Sequence, residues 1–240
     1  MKETVLTFRR YEKKYLLSAA RYEALWARMQ EHLVPDLYFE STVCSVYYDS
    51  DDYELIRHSL DRPVYKEKLR LRSYGVPGAE DPVFVELKKK FKGVVYKRRA
   101  EMSAAEAEAY LAGRGRPARD GQILREIDYF LDTHRLAPRV FIACDRLAWV
   151  DREIPELRIT FDRNLRFRCS ELSLTAGTQG EPLLDEGEVL MEIKLPEAAP
   201  LWLAHLLSEL EVFPTSFSKY GTCYQRELLE KTFHGVIVCV

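Results

Sequence analysis

Residues 66–72 read Lys66-Glu67-Lys68-Leu69-Arg70-Leu71-Arg72. A strand points successive side chains to opposite faces, so Lys66, Lys68, Arg70 and Arg72 share one face and Glu67, Leu69 and Leu71 the other. Five further stretches alternate in the same way: Arg10-x-Glu12-x-Lys14, Glu86-x-Lys88-x-Lys90, Lys97-x-Arg99, Arg158-x-Thr160-x-Asp162 and Glu192-x-Lys194. In any single strand this pattern also describes a solvated face, and lysines on an edge strand such as 86–90 also serve to block aggregation. Six stretches together say more. The chain holds 36 Lys and Arg against 38 Asp and Glu, so its overall charge is slightly negative while its strands are mostly cationic. A pocket for a polyanion requires that separation.

Working outward from this stretch, 5–17 reads as a strand, and Ser18 is placed to cap a helix running to Leu33, which Pro35 ends. Strands are expected over 41–48, 64–74, 82–91 and 94–102, with a turn or helix cap at 49–52, a short helix over 53–59 and a tight turn at Lys92-Gly93. Ser103 and Glu106 form a capping box for a helix over 103–112. A basic, glycine-rich loop over 113–119 leads to a helix over 122–133. Strands resume over 139–150, 157–168 and 188–195, separated by a polar loop over 170–186. Helices over 200–210 and 219–231 close the chain. The count of about eight mostly antiparallel strands with inserted helices predicts an α+β fold, a closed β-barrel with a polar interior. No linker divides the chain, so a single domain over 1–240 is expected.

A net charge near −2 argues against a general nucleic-acid binder. No run approaches the ~20 apolar residues of a membrane span, and the N-terminus shows no secretory signal. The tail 236–240 suits an added edge strand or a disordered end. The five cysteines, Cys44, Cys144, Cys169, Cys223 and Cys239, are scattered without a C-x-x-C pair, which fits reduced thiols in a cytoplasmic protein. The five histidines show no metal-site spacing, and no P-loop is present.

A cationic interior is costly without compensating charge, so internal carboxylates, a bound polyanion or both are required. Glu12 and Glu192 stand among the cations and read either as their partners or as ligands for Mg²⁺ or Mn²⁺ on phosphate, with Asp162 a weaker candidate. Ser218 and Lys219 open three readings: nucleophile and base, a helix cap followed by a surface lysine, or a lysine on phosphate.

The pieces Arg10-Tyr-Glu-Lys-Lys-Tyr15, Val46-Tyr-Tyr-Asp49, Lys68-Leu-Arg-Leu-Arg-Ser-Tyr-Gly75, Val85-Glu-Leu-Lys-Lys-Lys90 and Tyr96-Lys-Arg-Arg99 continue with four more: Asp145-Arg-Leu-Ala-Trp149, Leu157-Arg-Ile-Thr-Phe-Asp162, Leu190-Met-Glu-Ile-Lys194 and Phe217-Ser-Lys-Tyr220. In that order they resemble the VTC domain of polyphosphate polymerases, within the triphosphate tunnel metalloenzyme superfamily. The resemblance implies an eight-stranded tunnel in which the ATP γ-phosphoryl group passes to a growing inorganic polyphosphate chain. It implies catalytic roles for Arg70, Arg72, Lys88 and Arg146, and phosphate binding by Lys14, Lys97, Arg99, Lys194 and Lys219; Lys68 and Arg158, on the same alternating faces, are expected to bind phosphate with them. Glu192 would be the main metal ligand, with Glu12 beside it. Triphosphatases and adenylate cyclases of the superfamily begin with Glu-x-Glu-x-Lys. Here Arg10 replaces the first Glu, which favours the VTC branch and leaves fewer carboxylates for a second metal. The expected partners are ATP and polyphosphate, without nucleic acid or direct membrane insertion. A membrane-protein partner would supply any anchor.

Overall fold

The computed structural model describes residues 11–92, 94–117, 120–195 and 198–228. Arg10, residues 5–10 of the expected first strand, Gly93 of the hairpin turn, residues 118–119 of the basic loop, residues 229–231 of the closing helix, and the tail 236–240 with Cys239 lie outside that set. The chain runs β1 (Tyr11–Leu17), α1 (Ala19–Met29), β2 (Leu33–Asp49), α2 (Glu54–Leu60), β3 (Tyr65–Tyr74), β4 (Pro82–Phe91) and β5 (Val94–Ser103). It continues through α3 (Ala104–Leu111), α4 (Gln122–Thr133), β6 (Ala137–Asp151), β7 (Arg158–Arg168), β8 (Glu181–Pro182), β9 (Val189–Leu195), α5 (Leu201–Glu209) and α6 (Lys219–Cys223).

The α+β class is as expected: an antiparallel sheet in the order β1-β9-β7-β6-β2-β3-β4-β5, with β8 on β7, and helices inserted between strands. Two features differ. The described sheet has nine strands because the 170–186 segment, expected as a loop, contributes β8. Its strand order begins at β1 and ends at β5 without a pairing between them, so among the described residues the expected barrel does not close.

The chain forms two compact units. The first comprises residues 1–41, 144–165 and 184–217. Ser18 caps α1 by accepting from the Arg21 N–H. That helix ends at Met29 rather than Leu33, and Pro35 lies within β2 instead of at a helix end. The residue before a proline is driven toward extended backbone, which starts the strand there. Leu25 and Met29 of α1 and Leu203 and Leu206 of α5 share one core with Tyr15, Leu17, Ile159, Phe161, Met191 and Ile193. Because those strand residues alternate with Lys14, Thr160, Asp162, Glu192 and Lys194, the opposite face is polar.

The second unit comprises 42–143, 166–183 and 218–240. Its β3–β4–β5 meander turns Leu69, Leu71, Val85 and Leu87 toward Ala107 and Leu111 of α3 and Leu124, Ile127 and Phe130 of α4. Each fully buried leucine contributes roughly 1.5–3 kcal/mol, so this apolar face, not the cationic one, holds the meander together. Ser103 accepts from the Glu106 N–H at 3.3 Å, as the capping reading requires. The fully buried carboxylate of Asp49 accepts from the N–H groups of Leu55 and Ile56 at the start of α2 and from the Tyr220 hydroxyl. One arginine orders the polar excursion after β7. The Arg168 guanidinium donates to the carbonyls of Glu171, Ser173, Gly177 and Gln179 while lying 3.6 Å from the Phe141 ring centroid.

Candidate functional site

The cationic face of the second unit is a lattice set by strand register. Its rows cross β2, β3, β4 and β5. Arg72 stands opposite Ser45 and Phe84, and Arg70 stands between Tyr47 and Glu86, with Arg99 beyond. The next row is Lys68–Lys88–Lys97, and the last is Lys66–Lys90–Val95. Directly opposed residues place their Cβ atoms about 4.5–5.5 Å apart, where like charges destabilise a sheet.

Glu86 is the hub, with only 1% of its surface exposed. Arg70 and Lys97 reach its carboxylate at 2.7 Å, Arg99 at 2.6 Å and Arg72 at 3.9 Å. Four cations on one carboxylate leave a local surplus of positive charge, which an anionic guest would neutralise. Burial opposes ionisation of Glu86, but Arg70, Arg72 and Lys97 outweigh it and hold the carboxyl well below its usual range. Partial burial, then crowding by Arg99 and Arg70, pushes Lys97 down to about 8 against the pull of Glu86. The Arg99 guanidinium also covers the Phe84 ring at 4.1 Å and donates to the Tyr74 hydroxyl.

Arg70 donates to the Tyr47 hydroxyl at 3.3 Å. Burial raises the Tyr47 phenol, yet Arg70, Arg72 and the positive charge of Lys219 together bring it down to about 8. Lys219 opens α6 behind its cap, Ser218. The Ser218 hydroxyl oxygen accepts from the Gly221 N–H at 3.2 Å and from Lys68 Nζ at 3.0 Å. Ser218 is therefore a helix cap and lysine partner, which accounts for it without nucleophilic chemistry.

The first unit carries a different arrangement. In β1–β9–β7, Lys14 faces Glu192, which faces Thr160, while Glu12 faces Lys194, which faces Arg158. Glu12 and Glu192 thus occupy diagonal positions on one face. Lys194 Nζ lies 2.9 Å and Lys14 Nζ 3.9 Å from the Glu192 carboxylate, and Lys14 also donates to the Phe217 carbonyl. Burial disfavours the Glu192 anion, but Lys194, Lys14 and Arg146 bring its pKa down to about 2. Arg146 forks onto the buried Asp162 with bonds of 2.6 and 2.8 Å, and Arg158 pairs with Asp36 at 2.7 Å. Asp162 is therefore engaged by an arginine rather than presented as a metal ligand.

Hard oxygen donors suit Mg²⁺ or Mn²⁺. Glu192 is ionised, Glu12 lies diagonal to it, and the buried Thr160 hydroxyl opposite Glu192 has no hydrogen-bond partner among the described residues. Among the described residues no three His, Cys, Asp or Glu side chains converge on a cation position. These residues fit an ion whose shell is completed mainly by phosphate and water, and do not fit an all-protein cage.

The expected residues thus separate by unit. Lys68, Arg70, Arg72, Lys88, Lys97, Arg99 and Lys219 belong to the second, and Glu12, Lys14, Arg146, Arg158, Glu192 and Lys194 to the first. Sequence reading did not assign the hub Glu86, nor Tyr47, Ser45, Tyr74 and Thr160. The alternation around Glu86 and the run Val46-Tyr-Tyr-Asp49 carried the available signal for the first two.

The VTC domain family model matches residues 9–227. No curated protein matches the chain. Among solved structures, a candidate adenylate cyclase from Bacillus halodurans superposes with a TM-score of 0.56 at 15% identity, covering 90% of this chain and 95% of that one. A candidate adenylate cyclase from Vibrio parahaemolyticus gives 0.45 at 11% identity, with 90% and 97% covered. At these identities the first likeness concerns the fold. Among the described residues no helix is long and apolar enough to cross a membrane.

Proposed function

The chain belongs to the VTC domain family, and from that premise we propose that it is a polyphosphate polymerase acting as one domain over 1–240. The ATP γ-phosphoryl group would pass to the terminal phosphate of a growing chain. An oxygen of that phosphate forms the new bond to the γ-phosphorus, the β–γ bridging bond breaks, and ADP leaves. Such a transfer asks the protein for positioning and charge neutralisation more than for a nucleophile.

The observation that carries this reading is the excess of cations around the single carboxylate of Glu86. Arg70, Arg72, Lys88 and Arg146 take the catalytic part of neutralising the reacting phosphates. Lys14, Lys68, Lys97, Arg99, Arg158, Lys194 and Lys219 bind phosphate oxygens. The planar fork of arginine suits two oxygens at once, and lysine supplies a point charge. Glu192, assisted by Glu12, would hold Mn²⁺ or Mg²⁺, which when bound neutralises phosphate oxygens. A cytoplasmic setting is part of the same reading, and cysteines scattered without a C-x-x-C pair suit it.

Incubation with ATP and Mn²⁺ tests the proposal. Long phosphate chains accompanied by ADP are the expected products. Orthophosphate or pyrophosphate would replace polymerase by triphosphatase, and binding without turnover would make the protein a polyphosphate- or nucleotide-binding module.

A further inference from the structure

The cationic lattice of the second unit continues past the residues assigned above. On the face that carries Arg70, Lys66 of β3 stands directly opposite Lys90 of β4, and the row ends at Val95 of β5. The preceding row, Lys68–Lys88–Lys97, contains lysine alone. The other face of the same two strands behaves differently. There Glu67 stands opposite Lys89 and pairs with it at 3.2 Å. Lysine abundance in this segment therefore does not by itself produce like-charge rows, since the same two strands set a carboxylate opposite Lys89 on one face and lysines opposite Lys66 and Lys68 on the other. Lys66 shows the consequence. Partial burial, followed by the fields of Lys90, Arg62 and Lys88, lowers its pKa.

Lys66 lies six positions before Arg72. At about 3.4 Å per residue the cationic face extends for about 20 Å along β3. A triphosphate, three tetrahedra joined through two bridging oxygens, is shorter than that. The character of the rows also changes along the strand: arginines around a shared carboxylate at one end, lysines at the other. Arginine fixes oxygens in a set geometry, whereas lysine tolerates many positions of a flexible anion.

We propose that Lys66 and Lys90 form a distal subsite for phosphates beyond the reacting triphosphate, so that this face discriminates a long polyphosphate chain from a short one. The proposal rests on the phosphate-binding reading of the preceding subsection. The subsite contributes to affinity for chain length and leaves the triphosphate contacts untouched.

Affinities of the full chain for tripolyphosphate and for a polyphosphate of several tens of units, titrated at one fixed salt concentration, test it. The double variant Lys66→Ala/Lys90→Ala is expected to lose about tenfold or more in long-chain affinity, equivalent to about 1.4 kcal/mol, while tripolyphosphate affinity stays within about twofold. The charge-keeping variant Lys66→Arg/Lys90→Arg should retain long-chain binding. It separates loss of charge from loss of fold, which a melting curve of each variant also monitors. Equal losses for both ligands, or no loss for either, overturn the subsite. A parent chain that binds tripolyphosphate but prefers long chains no more than short ones overturns it as well, leaving the phosphate-binding reading intact. A parent chain that binds neither ligand overturns both.

Discussion

The carboxylates Glu86 and Glu192 each sit among basic residues on a strand whose reverse face is core, yet their surroundings differ in balance. Around Glu86, four cations share one buried anion. Around Glu192, Lys14 and Lys194 meet the carboxylate, while Arg146 and Arg158 are matched by Asp162 and Asp36. The first arrangement is overcharged and has use for an anionic guest. The second is nearly neutral and keeps one ionised carboxylate among hard oxygens, the condition for a shared divalent ion. The contrast teaches that alternating basic strands do not define one kind of surface. The count of local anions decides what each can bind.

The contrast breaks most sharply at the hub. Glu86→Gln leaves four cations without their anion and is expected to destabilise the protein by about 3–5 kcal/mol, read from denaturant unfolding. Tripolyphosphate should then raise the melting temperature more in the variant than in the parent. An equal rise in both would mean that the cations do not meet the ligand.

Acid should act on the balanced side. Glu192 has its folded pKa depressed from 4.5 to about 2, so its contribution is fully present above 4.5 and disappears as pH falls toward 2. That drop corresponds to about 3 kcal/mol. Urea unfolding at a series of pH values should show Glu192→Gln losing stability relative to the parent at pH 6 and converging with it near pH 2. A constant difference across the range would remove the ionised carboxylate from the account.

The smallest expected effect is at the alkaline end of the overcharged face. Above about 8, Lys97 loses its proton and Tyr47 becomes anionic, so the face loses positive potential from both. Tripolyphosphate affinity should fall as pH rises through that range. Tyr47→Phe should soften the fall by less than about tenfold, and a profile identical to the parent's would exclude the phenol.

Much of this was legible one strand at a time. The alternation in 66–72 placed Arg70 and Arg72 on one face because a period of two has one solution, and the strand over 82–91 and the helix over 122–133 have the bounds that composition suggested. Glu86 was legible only as one more charged residue in an alternating run. Its role as hub depends on Arg70 and Arg99 arriving opposite it from two other strands. Thr160 was legible only as a member of the polar face of its strand, since nothing local distinguishes a threonine facing Glu192 from one facing water. β8 escaped notice because two residues carry no periodicity, and Arg168 orders that segment through carbonyls that any sequence possesses.

By itself the sequence determined where most of the long strands run, which face of each is charged, and the order of motifs that places the chain in the VTC domain family. Those properties are local or are read in chain order. The tertiary structure alone decided which charges oppose which, because cross-strand register joins residues far apart in sequence. It therefore decided that one carboxylate is shared by four cations while another is balanced, and that among the described residues the sheet runs from β1 to β5 without closing.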